Sequence, residues 1–120
     1  MEIKTLVDRL FKAWDDGDYM SIPVSDDFSH TSPYGTVEGN DAYLAIVMDN
    51  ADKFLGNRID IHDSIYDGLK ACVRYTITNK AFTVDVSEWI YSNGELINRI
   101  ISYYNVEGEI GENRKLSGLK

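Results

Sequence analysis

The hydrophobic period of this chain changes once, near Arg58, from the 3.6-residue spacing of helices to the two-residue spacing of strands. Ahead of that point Ile3, Leu6, Val7, Leu10, Phe11 and Trp14 fall at i, i+3, i+4, i+7, i+8 and i+11, one continuous helix face. Asp15-Asp16-Gly17-Asp18 ends that helix. Gly17 suits the left-handed position just past it, and Asp18 suits the cap of a short second turn through Tyr19, Met20 and Ile22, stopped by Pro23. Gly39-Asn40-Asp41 starts a third helix, whose apolar residues Tyr43, Leu44, Ile46, Val47, Met48, Ala51, Phe54 and Leu55 lead to Gly56. Asp67-Gly68, Asn79-Lys80 and Asn93-Gly94 then divide four strands, about 58–66, 69–78, 81–92 and 95–106, at hairpin intervals. Three N-terminal helices followed by consecutive antiparallel strands place the chain in the α+β class.

A chain of 120 residues makes one domain, able to bury about two-thirds of the surface that its unfolded form exposes. That domain is expected over 1–106. Residues 107–120, with Gly108, Gly111 and Gly118 and few apolar side chains, read as a C-terminal tail. A net charge of −8 argues against a non-specific grip on nucleic acid or on an anionic membrane, both of which need basic patches. No apolar run of spanning length or secretory pattern is present, so the expectation is a cytoplasmic protein. Cys72 is the single cysteine and sits in the strand-like run Ala71-Cys72-Val73, which makes it a buried thiol rather than a nucleophile. No Asp-x-Asp-x-Asp-Gly loop or other metal motif occurs, and no cofactor is indicated. The strands carry large side chains on both faces. One face would take the helices and the other a second copy of the chain, giving a homodimer.

Between the helices, Asp26-Asp27-Phe28-Ser29-His30-Thr31 runs as an extended polar segment into the turn Ser32-Pro33-Tyr34-Gly35, followed by Thr36-Val37-Glu38-Gly39. Together with Ala13-Trp14-Asp15-Asp16-Gly17-Asp18 and Asn93-Gly94-Glu95-Leu96-Ile97, this layout resembles the nuclear transport factor 2-like superfamily, nearest its SnoaL-like and ketosteroid-isomerase-like branch. The resemblance runs to about Asn105. It implies a cone-shaped, curved antiparallel sheet wrapped around the three helices, an apolar cavity opening at the wide end, and a dimer built on the outer sheet face. It does not fix an activity, because isomerases, dehydratases, cyclases, epoxide hydrolases and plain binding modules share that fold.

The chain departs from the isomerase pattern at each catalytic position. Ketosteroid isomerases carry a general-base aspartate in an Asp-Pro-x-Gly turn, where this chain has Ser32. Their oxyanion hole pairs a tyrosine of the first helix with a protonated aspartate of a late strand, positions that align with Leu10 and Ser87. A different set of groups is therefore expected in the cavity. Strand alternation puts His30 on the same face as Ser32, and by the resemblance that face looks inward. An imidazole beside an apolar wall stays neutral and can act as a base. The bland alternative is a histidine hydrogen-bonded at the rim. His62, flanked by Asp60 and Asp63, reads as solvated.

Matching Ser87 to the family's pocket position turns Thr83, Asp85, Ser87, Trp89 and Tyr91 inward, and likewise Arg99, Ile101 and Tyr103 on the last strand. Asp85 would then need a cation, which Arg99 supplies. A slip of one residue would exchange Glu88 for Asp85 and Tyr104 for Tyr103. Trp14, Tyr34, Tyr43, Tyr75, Trp89 and Tyr103 are more aromatics than a small core requires. Trp14, Tyr34, Trp89 and Tyr103 join Ser32 and Ser87 as expected ligand contacts, with Tyr34 at the mouth. The resulting expectation is proton transfer of the isomerase, cyclase or dehydratase type on a small apolar carbonyl compound, with His30, Asp85 and Arg99 as the catalytic set. A noncatalytic small-ligand pocket and a dimeric protein-association module remain the alternatives.

Overall fold

The computed structural model describes residues 1–54, 56–80 and 82–105, so the tail expected over 107–120 lies outside the described residues. Helix α1 spans Ile3–Asp16 and buries Ile3, Leu6, Val7, Leu10, Phe11 and Ala13, the face that the sequence spacing marks out. Gly17 closes it at φ 72°, as expected. Its N–H bonds the Trp14 carbonyl at 3.1 Å, and the Asp18 N–H bonds the Ala13 carbonyl at 2.8 Å. These two bonds satisfy carbonyls that the helix end would leave unpaired, a closure that favours glycine because of its positive φ.

The other helices are shorter than the apolar pattern suggests. The expected second helix is a three-residue 3-10 turn, Tyr19–Ser21. The expected third helix divides at Asn50 into α2, Asn40–Asp49, and a single turn α3, Ala51–Phe54. At the division Asn50 leaves the helical conformation, at φ −123° and ψ 34°, and both its backbone N–H and its side-chain amide donate to the Ile46 carbonyl, at 3.0 and 2.9 Å. Among the described residues only α1 and α2 exceed one turn, so the sheet wraps around two helices rather than three.

The strands are β1, Val24–Ser32; β2, Gly35–Glu38; β3, Arg58–Asp67; β4, Lys70–Thr78; β5, Thr83–Ser92; and β6, Ile97–Tyr103. They form one six-stranded sheet in the order β2-β1-β6-β5-β4-β3. The four strands read from the turn pairs are all present as an antiparallel meander. The polar segment before Pro33 becomes β1, which runs parallel to β6 and turns back into β2. Irregular pairing interrupts β1 between Val24 and Ser29 and β3 between Ile61 and Asp63. Such breaks bend and twist a sheet locally.

The inner face carries Phe28, His30 and Ser32 of β1, Ala71, Val73 and Tyr75 of β4, Val86, Glu88, Ile90 and Ser92 of β5, and Ile100 and Ser102 of β6, all buried. Helix α1 covers this face over β3, β4 and β5, and α2 covers it over β1 and β2. Phe11 of α1 meets the Tyr75 ring edge-on at 5.1 Å. Tyr43 of α2 meets Phe28 the same way, also at 5.1 Å. On the outer face, Ile65, Cys72, Trp89, Ile101 and Thr31 pair successively across the sheet and form a row. Among the described residues no helix covers that row, and Ile65 is 69% exposed and Trp89 39%.

Candidate functional site

A chain of polar side chains crosses the inner face of the sheet. Glu88 and Ser102 are direct neighbours across β5 and β6, and the Ser102 hydroxyl donates to Glu88 Oε2 at 2.7 Å. Tyr75 lies diagonally across β4 and donates its hydroxyl to the same oxygen at 2.9 Å. On the other side Ser102 Oγ stands 3.4 Å from Nε2 of His30, one strand away on β1. Strand pairing sets all three contacts, since directly opposed and diagonal neighbours on one face are within side-chain reach. The Tyr43 ring of α2 lies 5.1 Å from the imidazole and closes the site from the helix layer.

Burial sets the electrostatics. His30 is 9% exposed, and burial lowers its pKa from 6.5 to about 4, so the ring is neutral at cellular pH. Burial raises the Glu88 carboxyl above its ordinary value, an effect opposed by the hydrogen bonds from Ser102 and Tyr75. Among the described residues no lysine or arginine forms an ion pair with it. Tyr43 and Tyr75 are raised, first by burial and then by the nearby Glu88, and remain protonated phenols. The His30 Nδ1 atom is buried and has no hydrogen-bond partner among the described residues. An orphaned buried polar atom costs roughly 1–3 kcal/mol, which makes Nδ1 the atom in this network most in need of a ligand.

Next to this network Ser32 follows His30 on the inner face of β1. Its Oγ accepts the Tyr34 backbone N–H at 3.2 Å and bonds the Tyr104 hydroxyl. The Tyr34 and Tyr104 rings stand 6.2 Å apart. Burial raises the Tyr104 hydroxyl, and the Ser32 bond pulls it back. Tyr104 also lines an open groove of about 440 Å³, together with Pro33, Val86, Asp85, Ser87 and Tyr103. That groove borders the site without including His30 or Glu88.

Of the residues singled out in the sequence, His30 and Ser32 come together on the inner face, with Tyr34 beside them. The expected inward register of β5 and β6 is reversed. Val86, Glu88, Ile90 and Ser92 are buried, whereas Asp85 and Trp89 are exposed and Ser87 is half-buried on the other face. Asp85 accepts a hydrogen bond from Thr76 at 2.6 Å, and Arg99 lies 4.1 Å above the Tyr91 ring, so the two do not form a cavity pair. Ser87 Oγ faces Cys72 Sγ at 3.8 Å, and Tyr103 is 59% exposed. Trp14 is half-buried and packs against the core from α1. The reason is hydrophobic: this register buries Val86, Ile90 and Ile100, and the register anchored on Ser87 would expose them. Cys72 is half-buried on the outer face rather than in the core.

Glu88 and Tyr104 thus take the places that the slipped register assigned them. Ser102 has no signal of its own in the sequence, and Tyr43 and Tyr75 stand out there as aromatics, Tyr43 also as part of the apolar pattern of the third helix. The alternation Val84, Val86, Glu88, Ile90 is the signal that places Glu88 inside; Ser102 follows from its cross-strand partner. Among the described residues no cluster of His, Cys, Asp and Glu could hold a metal ion. No helix among them is long and apolar enough to cross a membrane.

Comparison with solved structures finds the same architecture in many proteins. An NTF-2 like protein of unknown function from Burkholderia xenovorans superposes with a TM-score of 0.77 at 13% identity, covering 93% of this chain and 89% of that one. A candidate ketosteroid isomerase from Kribbella flavida gives 0.72 at 15% identity, over 90% and 82% of the two chains. A candidate polyketide cyclase from Xanthomonas campestris gives 0.70 at 17% identity, over 85% and 89%. At these identities the likeness establishes the fold alone. No curated protein matches the sequence. The SnoaL-like domain family matches residues 7–108, nearly all of the described fold, and the chain belongs to that family.

Proposed function

We propose that this SnoaL-like domain is a proton-transfer enzyme of the isomerase, cyclase or dehydratase type that acts on a small apolar carbonyl compound, with His30 as the base. One observation carries the reading: Nδ1 of a neutral, buried imidazole has no partner among the described residues, on a face otherwise built from apolar and hydrogen-bonded groups. A base in that state can accept a proton without first losing one. The names given to the Kribbella and Xanthomonas neighbours agree with such chemistry. Ser32 and the Tyr34–Tyr104 pair would border the substrate. Asp85, Arg99, Ser87, Trp89 and Tyr103 have no part in this reading, because their side chains lie on the outer face.

The test needs no knowledge of the final product. Deuterium wash-in α to the carbonyl is followed by NMR for a panel of cyclic ketones and 1,3-dicarbonyl compounds, with wild type and His30→Ala compared. Loss of a hundred- to ten-thousand-fold in the exchange rate, with an unchanged circular dichroism spectrum, is expected. A folded His30→Ala protein that exchanges as fast as wild type would remove His30 from the chemistry.

A noncatalytic small-ligand pocket is the second reading, favoured by the replacement of the isomerase residues with Ser32, Leu10 and Ser87. It predicts ligand affinity that survives His30→Ala within about tenfold and no exchange with any compound. The outer row of Ile65, Cys72, Trp89 and Ile101 supports a homodimer formed through that face. In that case Trp89→Glu should yield a monomer by light scattering. A monomeric wild type would exclude the dimer, and with it a dimeric association module.

A further inference from the structure

The polar chain behind His30 has a direction. Glu88 Oε2 receives two hydrogen bonds, from the Tyr75 hydroxyl and from the Ser102 hydroxyl. Ser102 has one proton, and with that proton committed to an ionised Glu88 its oxygen can only accept from His30. Nε2 must then carry the imidazole proton, which leaves Nδ1 with the bare lone pair. With Glu88 ionised, the orphaned nitrogen and the basic nitrogen are therefore the same atom. The tautomer is set by the partner of the other ring nitrogen, as is general for functional histidines.

We propose that Ser102 and Glu88 complete the base, so that a proton taken at Nδ1 of His30 is balanced by passage of the Nε2 proton through the Ser102 hydroxyl to Glu88. This rests on the reading of His30 as the base. The step closes as follows. The substrate C–H bond breaks, and its electron pair remains on the forming enolate. An N–H bond forms at Nδ1 as the N–H bond at Nε2 breaks. Ser102 gains that proton and gives its own to Glu88. One negative charge moves from the carboxylate to the enolate, and no imidazolium is left behind.

Burial favours this outcome at both ends of the chain. It penalises a charged His30 and favours a neutral Glu88 carboxyl, so the proton is better held on the carboxyl than on the ring. The titratable groups facing the pair are Tyr75 from β4, Tyr43 from α2 and Tyr104 beyond β6. Burial raises all three, and they stay neutral while Glu88 titrates. The 3.4 Å separation of His30 and Ser102 is long for transfer, a slackness common in unliganded sites that tightens when substrate arrives. Ser102 and Glu88 are positioning residues, since they act through His30.

Nitrogen-15 NMR of the wild-type imidazole tests the direction of the chain without a substrate or a variant. Above the pH at which Glu88 ionises, the Nε2–H tautomer is expected. As Glu88 takes a proton, the chain should reverse and give the Nδ1–H tautomer, and Glu88→Gln should abolish that pH dependence. Ser102→Ala should uncouple the ring from Glu88, and Ser102→Thr should restore the coupling. In the exchange assay both Glu88→Gln and Ser102→Ala should lose about a hundredfold in rate, with Ser102→Thr regaining most of it. A wild-type Nδ1–H tautomer at high pH, or a tautomer indifferent to Glu88, would overturn the relay even if His30→Ala is inactive. If instead His30→Ala retains full exchange, the base assignment fails, and the tautomer measurement still decides the direction of the chain.

Discussion

Asp85 and Glu88 belong to the same strand and carry the same functional group, yet they meet opposite environments. Asp85 lies on the outer face, exposed and bonded to the Thr76 hydroxyl. Glu88 lies on the inner face, buried, with Ser102 and Tyr75 donating to one of its oxygens. The outer carboxylate keeps its solvent, whereas the inner one is held where its ionised form is disfavoured. Chemistry in this sheet is therefore decided by the face of the strand and not by residue type, because burial is what shifts proton affinity by large amounts.

The largest test of that contrast is truncation on each face. Phe28 is fully buried between His30 and Tyr43, and Phe28→Ala should lower unfolding free energy by about 3–5 kcal/mol in urea denaturation. Ile65→Ala on the outer face should change it by less than about 0.5 kcal/mol. A larger effect of Ile65→Ala that grows with protein concentration would mean that a second copy covers the face.

The next effect is on pH dependence. Because the folded pKa of His30 lies below its unfolded value, the unfolded chain binds the extra proton between pH 6.5 and about 4. Stability from this group is complete above pH 6.5 and is lost as pH falls toward 4, by about 3 kcal/mol in all. His30→Gln should remove that loss, read as a flatter profile of unfolding free energy against pH. Glu88 acts with the opposite sign. Its folded pKa is raised, so its contribution is present below 4.5 and is lost as pH rises through the raised value. Glu88→Gln should therefore gain on wild type toward alkaline pH, and a variant that loses ground there would contradict the buried-carboxyl assignment. The smallest effect belongs to the outer face. Removing the exposed Arg74–Asp63 pair, 2.7 Å apart, by Asp63→Asn should cost less than about 1 kcal/mol and less still in high salt.

Much of the architecture was legible because it follows from local periodicity. The face of α1, the left-handed Gly17 and the four-strand meander all depend on near neighbours in sequence. The break of the long helix at Asn50 was not legible, because Ala51, Phe54 and Leu55 continue the apolar spacing across the point where the Asn50 backbone leaves the helix. Strand β2 was also missed. It is four residues long, with Val37 as its single buried side chain, too short for an alternation to show.

The site was half legible. His30 and Ser32 share a face by simple alternation, whereas the register of β5 was anchored on a resemblance at Ser87 instead of on Val86 and Ile90. Either register buries one carboxylate, Asp85 or Glu88, so charge could not choose between them; the apolar neighbours could. The meeting of Tyr75, Glu88, Ser102 and His30 joins four strands, and only the pairing of those strands brings it about.

The most direct test of the account compares the two faces in one assay, the α-proton exchange rate of a reactive carbonyl compound with wild type, His30→Ala and Asp85→Asn. The account predicts a loss of two to four orders of magnitude for His30→Ala and a change within about twofold for Asp85→Asn. A folded His30→Ala protein with undiminished exchange, or an Asp85→Asn protein that loses it, would contradict the assignment of the inner face as the seat of the chemistry.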